Sequence, residues 1–290
     1  MKKKKKIELF DIVVTALSAV LLLIVAYPLI LVLSNSISDP TLVAKGEVVL
    51  LPKGINFDGY AYIFKDKDIM TGYANTIFYT FFGTLINLVV TVPCGYVLSK
   101  QTLPGKKMFM MFFMFTMYFS GGLIPRFLLV HSLGLYNSRW VLLILGAFSM
   151  YNCIVCRSFF AAMPSELEES ASIDGCSDIG IFTKIILPLS KALMGVMVLY
   201  FAVGHWNSYF PAMVYLRDNS KQPLQVFLRR ILIQAKMQLE NSEEVVESLV
   251  QTEALVRYGV IVVASLPLLI IYPFLQKYFD KGVLIGSVKG

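Results

Sequence analysis

Long apolar runs without a charged residue are the feature that most constrains the fold of this chain. Two of them, at residues 12–38 and 69–99, contain no Asp, Glu, Lys or Arg. About 20 apolar residues in a helix span a bilayer core of roughly 30 Å. Backbone polar groups cannot stay unpaired in lipid, so such runs must form helices. The sequence therefore predicts an all-α integral membrane protein.

Composition agrees with a membrane protein and excludes an ordinary soluble domain. Of the 290 residues, 57% are hydrophobic and 16% are charged. A soluble globular domain has about a quarter of its residues charged. The mean hydropathy is +0.68, so we expect most of the chain to face lipid or other apolar helices.

The uncharged runs predict a single transmembrane domain over residues 1–290 with six membrane-spanning helices. Their approximate bounds are 10–34, 71–99, 107–130, 139–161, 184–213 and 256–277. The third and fourth runs are the shortest, and Gly121, Gly122 and Pro125 are expected to loosen the far end of the third helix. A charged segment at 164–183 separates the fourth and fifth helices and is too polar to lie in lipid.

The distribution of Lys and Arg predicts which side of the membrane each segment faces. Basic residues concentrate in the short cytoplasmic segments of membrane proteins. An even number of spans with both termini in the cytoplasm places the lysines at 2–6 and the 164–183 segment on the more basic, inner side. Next to a span, the lysine run is interpreted as an anchor of the topology and not as a nucleic-acid patch.

The sequence contains no catalytic or nucleotide-binding pattern. Its two histidines, His131 and His205, lack the neighbouring groups that a catalytic triad requires, and there is no phosphate-binding loop of the G-x-x-x-x-G-K-[ST] type. Cys153 and Cys156 have C-x-x-C spacing, but packing within a helix is favoured over metal or redox chemistry because no second pair accompanies them. The chain is therefore not expected to be an enzyme or to hold a cofactor or metal. If the chain does active work, a partner must supply the energy.

The polar segment between the fourth and fifth spans is expected to form two short helices. Ser165 followed by Glu168 is a capping box, and acidic residues crowd the first turn, where the helix dipole favours them. Gly175 is expected to end or bend this helix. A second short helix is predicted at 177–186, and Pro188 marks the entry into the fifth span.

This segment also resembles a known family. Ala171 and Ile173 are expected to form an apolar tip that seats in a groove of another protein. The spacing resembles the EAA loop of ATP-binding-cassette (ABC) importer permeases, which reads E-A-A, three residues, G, nine residues, I-x-L-P. The matching residues are Glu169, Ser170, Ala171, Gly175, Ile185, Leu187 and Pro188. Ser170 stands where the family has alanine, a change of one small residue for another.

Other stretches resemble the carbohydrate-importer subfamily, of the MalG type. They are residues 95–100, 205–210 and 281–290. Residues 118–125 and the tail look most like its LplC/YtcP-like branch, which is associated with complex oligosaccharides. The resemblance covers nearly the whole chain. It implies the type I ABC importer permease fold and a role as one permease subunit of an importer for a sugar, specifically an oligosaccharide.

The resemblance implies partners and a location as well. Two such permeases, usually a heterodimer, form the path across the bacterial cytoplasmic membrane, with two ATPase subunits below and an external solute-binding lipoprotein above. The polar loop of each permease docks on one ATPase subunit. The residues expected to carry this coupling are Glu168, Glu169, Ser170, Ala171, Asp174, Gly175, Ile185, Leu187 and Pro188.

Polar and aromatic side chains inside the spans are the candidates for a sugar path, because sugars bind to aromatic faces and to a few placed polar groups. They are His205, Trp206, Asn207 and Tyr209 in the fifth span and Tyr151 and Asn152 in the fourth. Hydrogen bonding between helices, or an interfacial aromatic belt, is the alternative role for these residues. For Asn87 and Thr91 in the second span, packing between helices is favoured.

Two longer segments are expected outside the membrane. Residues 35–68 should contain a short surface helix near 60–64, and residues 224–253 an amphipathic helix that either lies on the surface or docks the lipoprotein. Two other functions remain as alternatives. A secondary transporter would need ionisable residues in the span centres, where His205 stands alone, and a membrane receptor subunit would need no coupling loop. The importer permease is the favoured interpretation.

Overall fold

The computed structural model describes residues 9–240, 254 and 256–273. The lysines at 2–6, the second external segment beyond residue 240, the end of the sixth predicted span and the 281–290 tail lie outside the described residues. All regular secondary structure in the described part of the chain is helical, in agreement with the predicted all-α fold.

The helices of the described residues are labelled in chain order, apart from a short 3₁₀ helix at Asn219–Lys221. They are α1 Leu9–Ser36, α2 Pro40–Ala44, α3 Asp58–Lys65, α4 Lys67–Ser99, α5 Lys106–Tyr118, α6 Leu123–Ser132, α7 Trp140–Ile144, α8 Met150–Ala161, α9 Glu166–Ile173, α10 Asp178–Leu189, α11 Lys191–Trp206, α12 Phe210–Tyr215, α13 Leu224–Glu240 and α14 Val256–Pro273. The α10 helix includes a π-helical stretch at Phe182–Ile186.

Three of these helices, α1, α4 and α14, are each long and apolar enough to cross a membrane. The bent pairs α5 with α6 and α10 with α11 pass the same test if each pair counts as one span. The fourth predicted span, 139–161, is instead divided into α7 and α8 by residues 145–149. The first, second and sixth predicted spans thus correspond to continuous helices in the described residues, while the count of six spans stays a prediction.

The break between α5 and α6 falls where the sequence predicts a loosened helix end. Gly122 has a φ of 87°, in the left-handed region that residues with a side chain rarely adopt. Pro125 cannot donate to a continuous helical ladder because it has no N–H. The axes of α5 and α6 differ by 109°, so α6 starts in a new direction.

The chain divides into two compact units, the first drawn from Met1–Ile69 and Leu228–Leu266. In this unit Val43, Val48 and Ala254 form a small buried core. The short helix predicted near residues 60–64 is present as α3. Its Ile63 is fully buried, and the Tyr60 hydroxyl donates a hydrogen bond of 2.8 Å to Ser36 Oγ at the end of α1.

The second unit is drawn from Met70–Phe227 and Pro267–Gly290. Within it α4 and α8 approach closely at Gly95, where an added Cβ would lie 2.5 Å from the Cβ of Cys156. Cys153 and Cys156 are completely buried in apolar clusters. Both thiols thus lie among packed apolar side chains.

Candidate functional site

The polar loop, residues 164–190, begins with a helix start that differs from the predicted capping box. Ser165 has φ −69° and ψ −25° and makes no side-chain cap bond. Its carbonyl instead accepts hydrogen bonds from the N–H groups of Glu168 and Glu169, both at 3.0 Å. Because Ser165 already has helical dihedrals, its side chain does not adopt the extended geometry that a capping hydroxyl needs. The acidic first turn that the helix dipole favours is present.

The end of α9 is as predicted. Gly175 has a φ of 77°, and the N–H of Cys176 donates to the Ala171 carbonyl at 3.0 Å. A left-handed glycine just past the last helical turn, with a bond back across it, is a common helix stop. The second helix, α10, begins after Ser177, whose Oγ accepts from Gly180 N at 3.3 Å, and extends past the predicted end at 186.

An aromatic and aliphatic core fixes the polar loop to α4, α8 and α11. The Tyr96 ring of α4 lies 5.5 Å from Phe160 of α8 and 4.8 Å from Phe182 of α10, measured between ring centroids. Ala171 and Ile186 are buried in the same cluster, which continues along α11 through Leu193, Met197 and Phe201. A displacement of the loop must therefore move the packed ends of these helices, because protein interiors leave few voids to absorb it.

An ion pair ties the loop to the end of α4. Lys100, directly after α4, contacts the Glu168 carboxylate of α9 through its ammonium, which also lies 4.1 Å from the centroid of the Tyr96 ring. Burial lowers the pKa of Lys100, but the hydrogen bond to Glu168 and the contact with Tyr96 outweigh it, so the pKa is raised from its ordinary 10.5. Lys100 therefore keeps its charge at neutral pH.

The exposed end of the loop is apolar, although not through both residues that the sequence predicts. Ile173 is 86% exposed and Ile179 is 77% exposed. Ala171, predicted at the tip beside Ile173, is buried instead, because it lies on the face of α9 that packs against the helix ends. Large exposed aliphatic side chains on a well-packed base are typical of a surface that meets another protein.

The remaining predicted coupling residues divide by exposure. Glu169, Ser170, Asp174, Gly175 and Pro188 are exposed, and Ile185 and Leu187 pack partly buried against the core of the loop. After α10 the chain bends by 84° into α11. The buried Ser190 lies at this bend, and its Oγ donates to the Ile186 carbonyl at 2.7 Å.

A polar network in the second unit links α4, α11 and the break between α7 and α8. His205 Nε2 lies 2.6 Å from Asn87 Oδ1, and because an amide oxygen only accepts, this nitrogen carries the proton. The Asn87 amide group in turn donates to the Gly146 carbonyl in the break between α7 and α8. Asn87 thus has the helix-to-helix role that the sequence favours for it.

A polar cavity of about 340 Å³ lies beside this network. Asn87, Gly146, Asn152 and His205 line it. The helix break at 145–149 leaves carbonyl groups without helical partners. Two side chains donate hydrogen bonds to them: Asn87 to the Gly146 carbonyl, and Arg126 of α6 to the Leu145 carbonyl at 3.2 Å. Irregular backbone at membrane depth is tolerated where it lines such a cavity.

The structure separates the residues predicted to line the sugar path. Trp206 is buried, and the centroid of its ring lies 6.4 Å from that of the Tyr73 ring. It lines a different, apolar cavity of about 530 Å³. Asn207 bonds locally to the Val203 carbonyl at 3.0 Å. Tyr209 lies beyond the end of α11 and, like Tyr151, lines neither of these two cavities.

Sequence reasoning did not anticipate two residues of these sites. Lys100 and Glu168 are 68 residues apart in the sequence, which is too far for a local sequence pattern to predict their contact. Arg126 carried a visible signal, because it is a charged residue inside the predicted third span, and ionisable residues there commonly mark a functional site.

The helical fold, its membrane-length apolar helices and the packed polar loop define a membrane component of a transport system. The chain belongs to the family of binding-protein-dependent transport system inner membrane components, which residues 69–285 match. The resemblance to ABC importer permeases is thereby confirmed, and the fold is that of a type I ABC importer permease.

Individual relatives agree with the family. The chain is 40% identical over 285 residues to the polygalacturonan/rhamnogalacturonan transport system permease protein YtcP of Bacillus subtilis (strain 168), covering 98% of this chain and 100% of that protein. It is 40% identical over 263 residues to protein LplC of the same organism, covering 91% and 89%. A solved bacterial ABC transporter involved in the import of the acidic polysaccharide alginate has a chain that is 36% identical. That comparison covers 95% of this chain and 100% of the other, with a TM-score of 0.79.

Proposed function

We propose that the chain is one of two permease subunits of an ATP-driven oligosaccharide importer. The observation that carries the proposal is the polar loop: exposed Ile173 and Ile179 stand on a base packed against α4, α8 and α11. A rigid link of this kind can pass a movement of a bound ATPase subunit to the helices that line the cavity. Relatives named for polygalacturonan/rhamnogalacturonan and alginate support a polysaccharide-derived substrate.

The partners follow from the proposed role. A second, homologous permease completes the path, two ATPase subunits bind ATP and Mg²⁺, and an external solute-binding lipoprotein delivers the sugar. Both termini and the polar loop lie on the cytoplasmic side of a bacterial cytoplasmic membrane. The apolar side chains of α1 are exposed, Leu17 and Leu22 among them, which suits a helix that contacts lipid or the second permease.

The polar cavity is the proposed segment of the sugar path. Sugar hydroxyls need hydrogen-bonding groups placed in a pocket, and His205 and Asn152 supply such groups there, while Asn87 holds the His205 ring in place. Trp206 has the role of a packing residue in this scheme, because its cavity is apolar.

The coupling role is tested at Ile173, because its exposure makes a change of fold improbable. In the complete importer reconstituted with its binding protein, Ile173→Asp should abolish substrate-stimulated ATP hydrolysis and uptake, since a carboxylate would have to be desolvated in the docking groove. Ile173→Val keeps an apolar contact and should retain most of the activity. Wild-type coupling in the Ile173→Asp variant would refute the proposed docking surface.

A further inference from the structure

Arg126 lies at the junction of two cavities. Besides the polar cavity of about 340 Å³, a second one of about 590 Å³ is lined by the break between α5 and α6, including Ser120, Gly121 and Gly122. Arg126 and Pro211 line both. The 109° bend after α5 sets this position, because it starts α6 in a new direction and brings its first turn to the junction.

The charge at this junction is uncompensated. Among the described residues that line the two cavities, Arg126 is the only one with a permanent charge. No carboxylate of the described residues lies within 4.0 Å of it, and its recorded bond goes to a neutral group, the Leu145 carbonyl. Arg126 is also exposed, so its planar guanidinium has donors left for a ligand.

An arginine inside a predicted span requires a reason, because a charge at membrane depth is costly unless it is paired or faces a water-filled cavity. The hydrogen bond to the Leu145 carbonyl does not require a charged donor, since a neutral amide group could donate it. A guanidinium differs from such a donor by attracting anions and by forming two parallel hydrogen bonds with a carboxylate.

We propose that Arg126 is a specificity-determining residue that binds the carboxylate groups of an anionic oligosaccharide as it passes between the two cavities. The ligand class is a uronic acid oligomer, whose sugar hydroxyls meet His205 and Asn152 in the polar cavity while its carboxylate meets Arg126. This inference rests on the proposed function and adds the charge of the substrate to it.

The test compares one charged and one neutral probe in the complete importer with saturating binding protein in liposomes. The probes are trigalacturonate and its methyl ester, which differ in carboxylate charge. Arg126→Gln removes the charge but keeps a donor for the Leu145 carbonyl. Hydrogen bonds to charged groups justify an expected loss of about tenfold or more in trigalacturonate uptake, with less than about a twofold change for the ester.

Two further variants serve as controls. Arg126→Lys keeps the positive charge but lacks the planar guanidinium that forms two parallel hydrogen bonds, so it should retain part of the trigalacturonate uptake. Arg217→Gln removes another exposed arginine of the same unit, one that lines neither cavity, and should behave as wild type.

The outcomes separate the two proposals. An equal effect of Arg126→Gln on both probes, or none on either, overturns the inference, as does a wild-type importer that moves only the ester. A wild-type importer that moves no oligosaccharide at all contradicts the proposed function itself.

Discussion

Lys100 and Glu168 form an ion pair that joins the end of α4 to the first turn of α9. The lysine also lies over Tyr96, whose ring packs on Phe160 and Phe182. A single cluster thus connects the second predicted span with the polar loop. The two side chains keep 28% and 29% of their surface exposed, so solvent screens the pair, and such pairs contribute only about 0.2–1 kcal/mol to stability.

Reversal of this ion pair tests its positioning role. Lys100→Glu and Glu168→Lys should each lower substrate-stimulated ATP hydrolysis, because each places like charges side by side. The double variant restores opposite charges and should recover much of the activity, which would appear as a coupling term in a double-mutant cycle. Strictly additive losses would show that the two residues act separately.

The pH dependence of the pair follows from the raised pKa of Lys100. A group whose pKa is raised on folding stabilises the fold below its unfolded pKa and loses this contribution as pH rises through the folded value. The unfolded value is near 10.5. We therefore expect coupling through this pair to be insensitive to pH between about 6 and 9, because Lys100 stays charged throughout that interval. An activity difference between wild type and Glu168→Gln that disappears within this interval would contradict the assignment.

Gly83 of α4 makes room for the His205 ring. A Cβ at Gly83 would lie 2.5 Å from His205 Nε2, so Gly83→Ala should displace the ring and break its bond to Asn87. Overpacking of this kind costs about 1–3 kcal/mol and should lower the melting temperature of the purified protein. Gly204→Ala is the matched control in α11, where an added Cβ meets nothing within 4 Å. Equal melting temperatures for both variants would argue against the close approach.

Loss of the Asn152 side chain should affect uptake, whereas loss of the Trp206 side chain should affect stability. Asn152→Ala removes a group from the polar cavity and should lower oligosaccharide uptake several-fold while the melting temperature stays near wild type. Trp206→Ala opens the apolar cavity and should cost about 3–5 kcal/mol of stability without changing which oligosaccharide is carried. The neighbouring Tyr151→Ala, which lines neither cavity, is the control. A changed substrate preference in Trp206→Ala alone would restore the predicted aromatic path.

The outcome at the fifth span illustrates where sequence reasoning ends. Helical periodicity places His205, Trp206 and Tyr209 on one side only while the helix continues. α11 ends at Trp206, so Tyr209 follows a different geometry, and the first two side chains line different cavities. The helix end depends on tertiary contacts that no local pattern contains.

Local chemistry was a better guide elsewhere. The uncharged runs predicted α1 and α4, and Gly175 predicted the end of α9, because bilayer thickness and left-handed backbone act on neighbouring residues. The inward orientation of Ala171 could not be predicted in the same way, since it depends on Tyr96 and Phe160 from other helices.

The chain by itself should neither transport nor hydrolyse ATP. Reconstituted alone in liposomes, it lacks the ATPase subunits and the second permease, so neither ATP nor an ion gradient should drive uptake. The complete importer in parallel liposomes is the control. Uptake by the single chain under an ion gradient would support a secondary transporter instead.

The central claim, that the polar loop docks on an ATPase subunit, is tested most directly by site-specific photo-crosslinking in the assembled importer. Ile173→p-benzoylphenylalanine places the crosslinker on the exposed end of the loop, and Leu51→p-benzoylphenylalanine places it at another exposed position that should face the opposite side of the membrane. We expect a crosslink from position 173 to the ATPase subunit and none from position 51. An assembled, active importer in which position 173 forms no crosslink to the ATPase would contradict it.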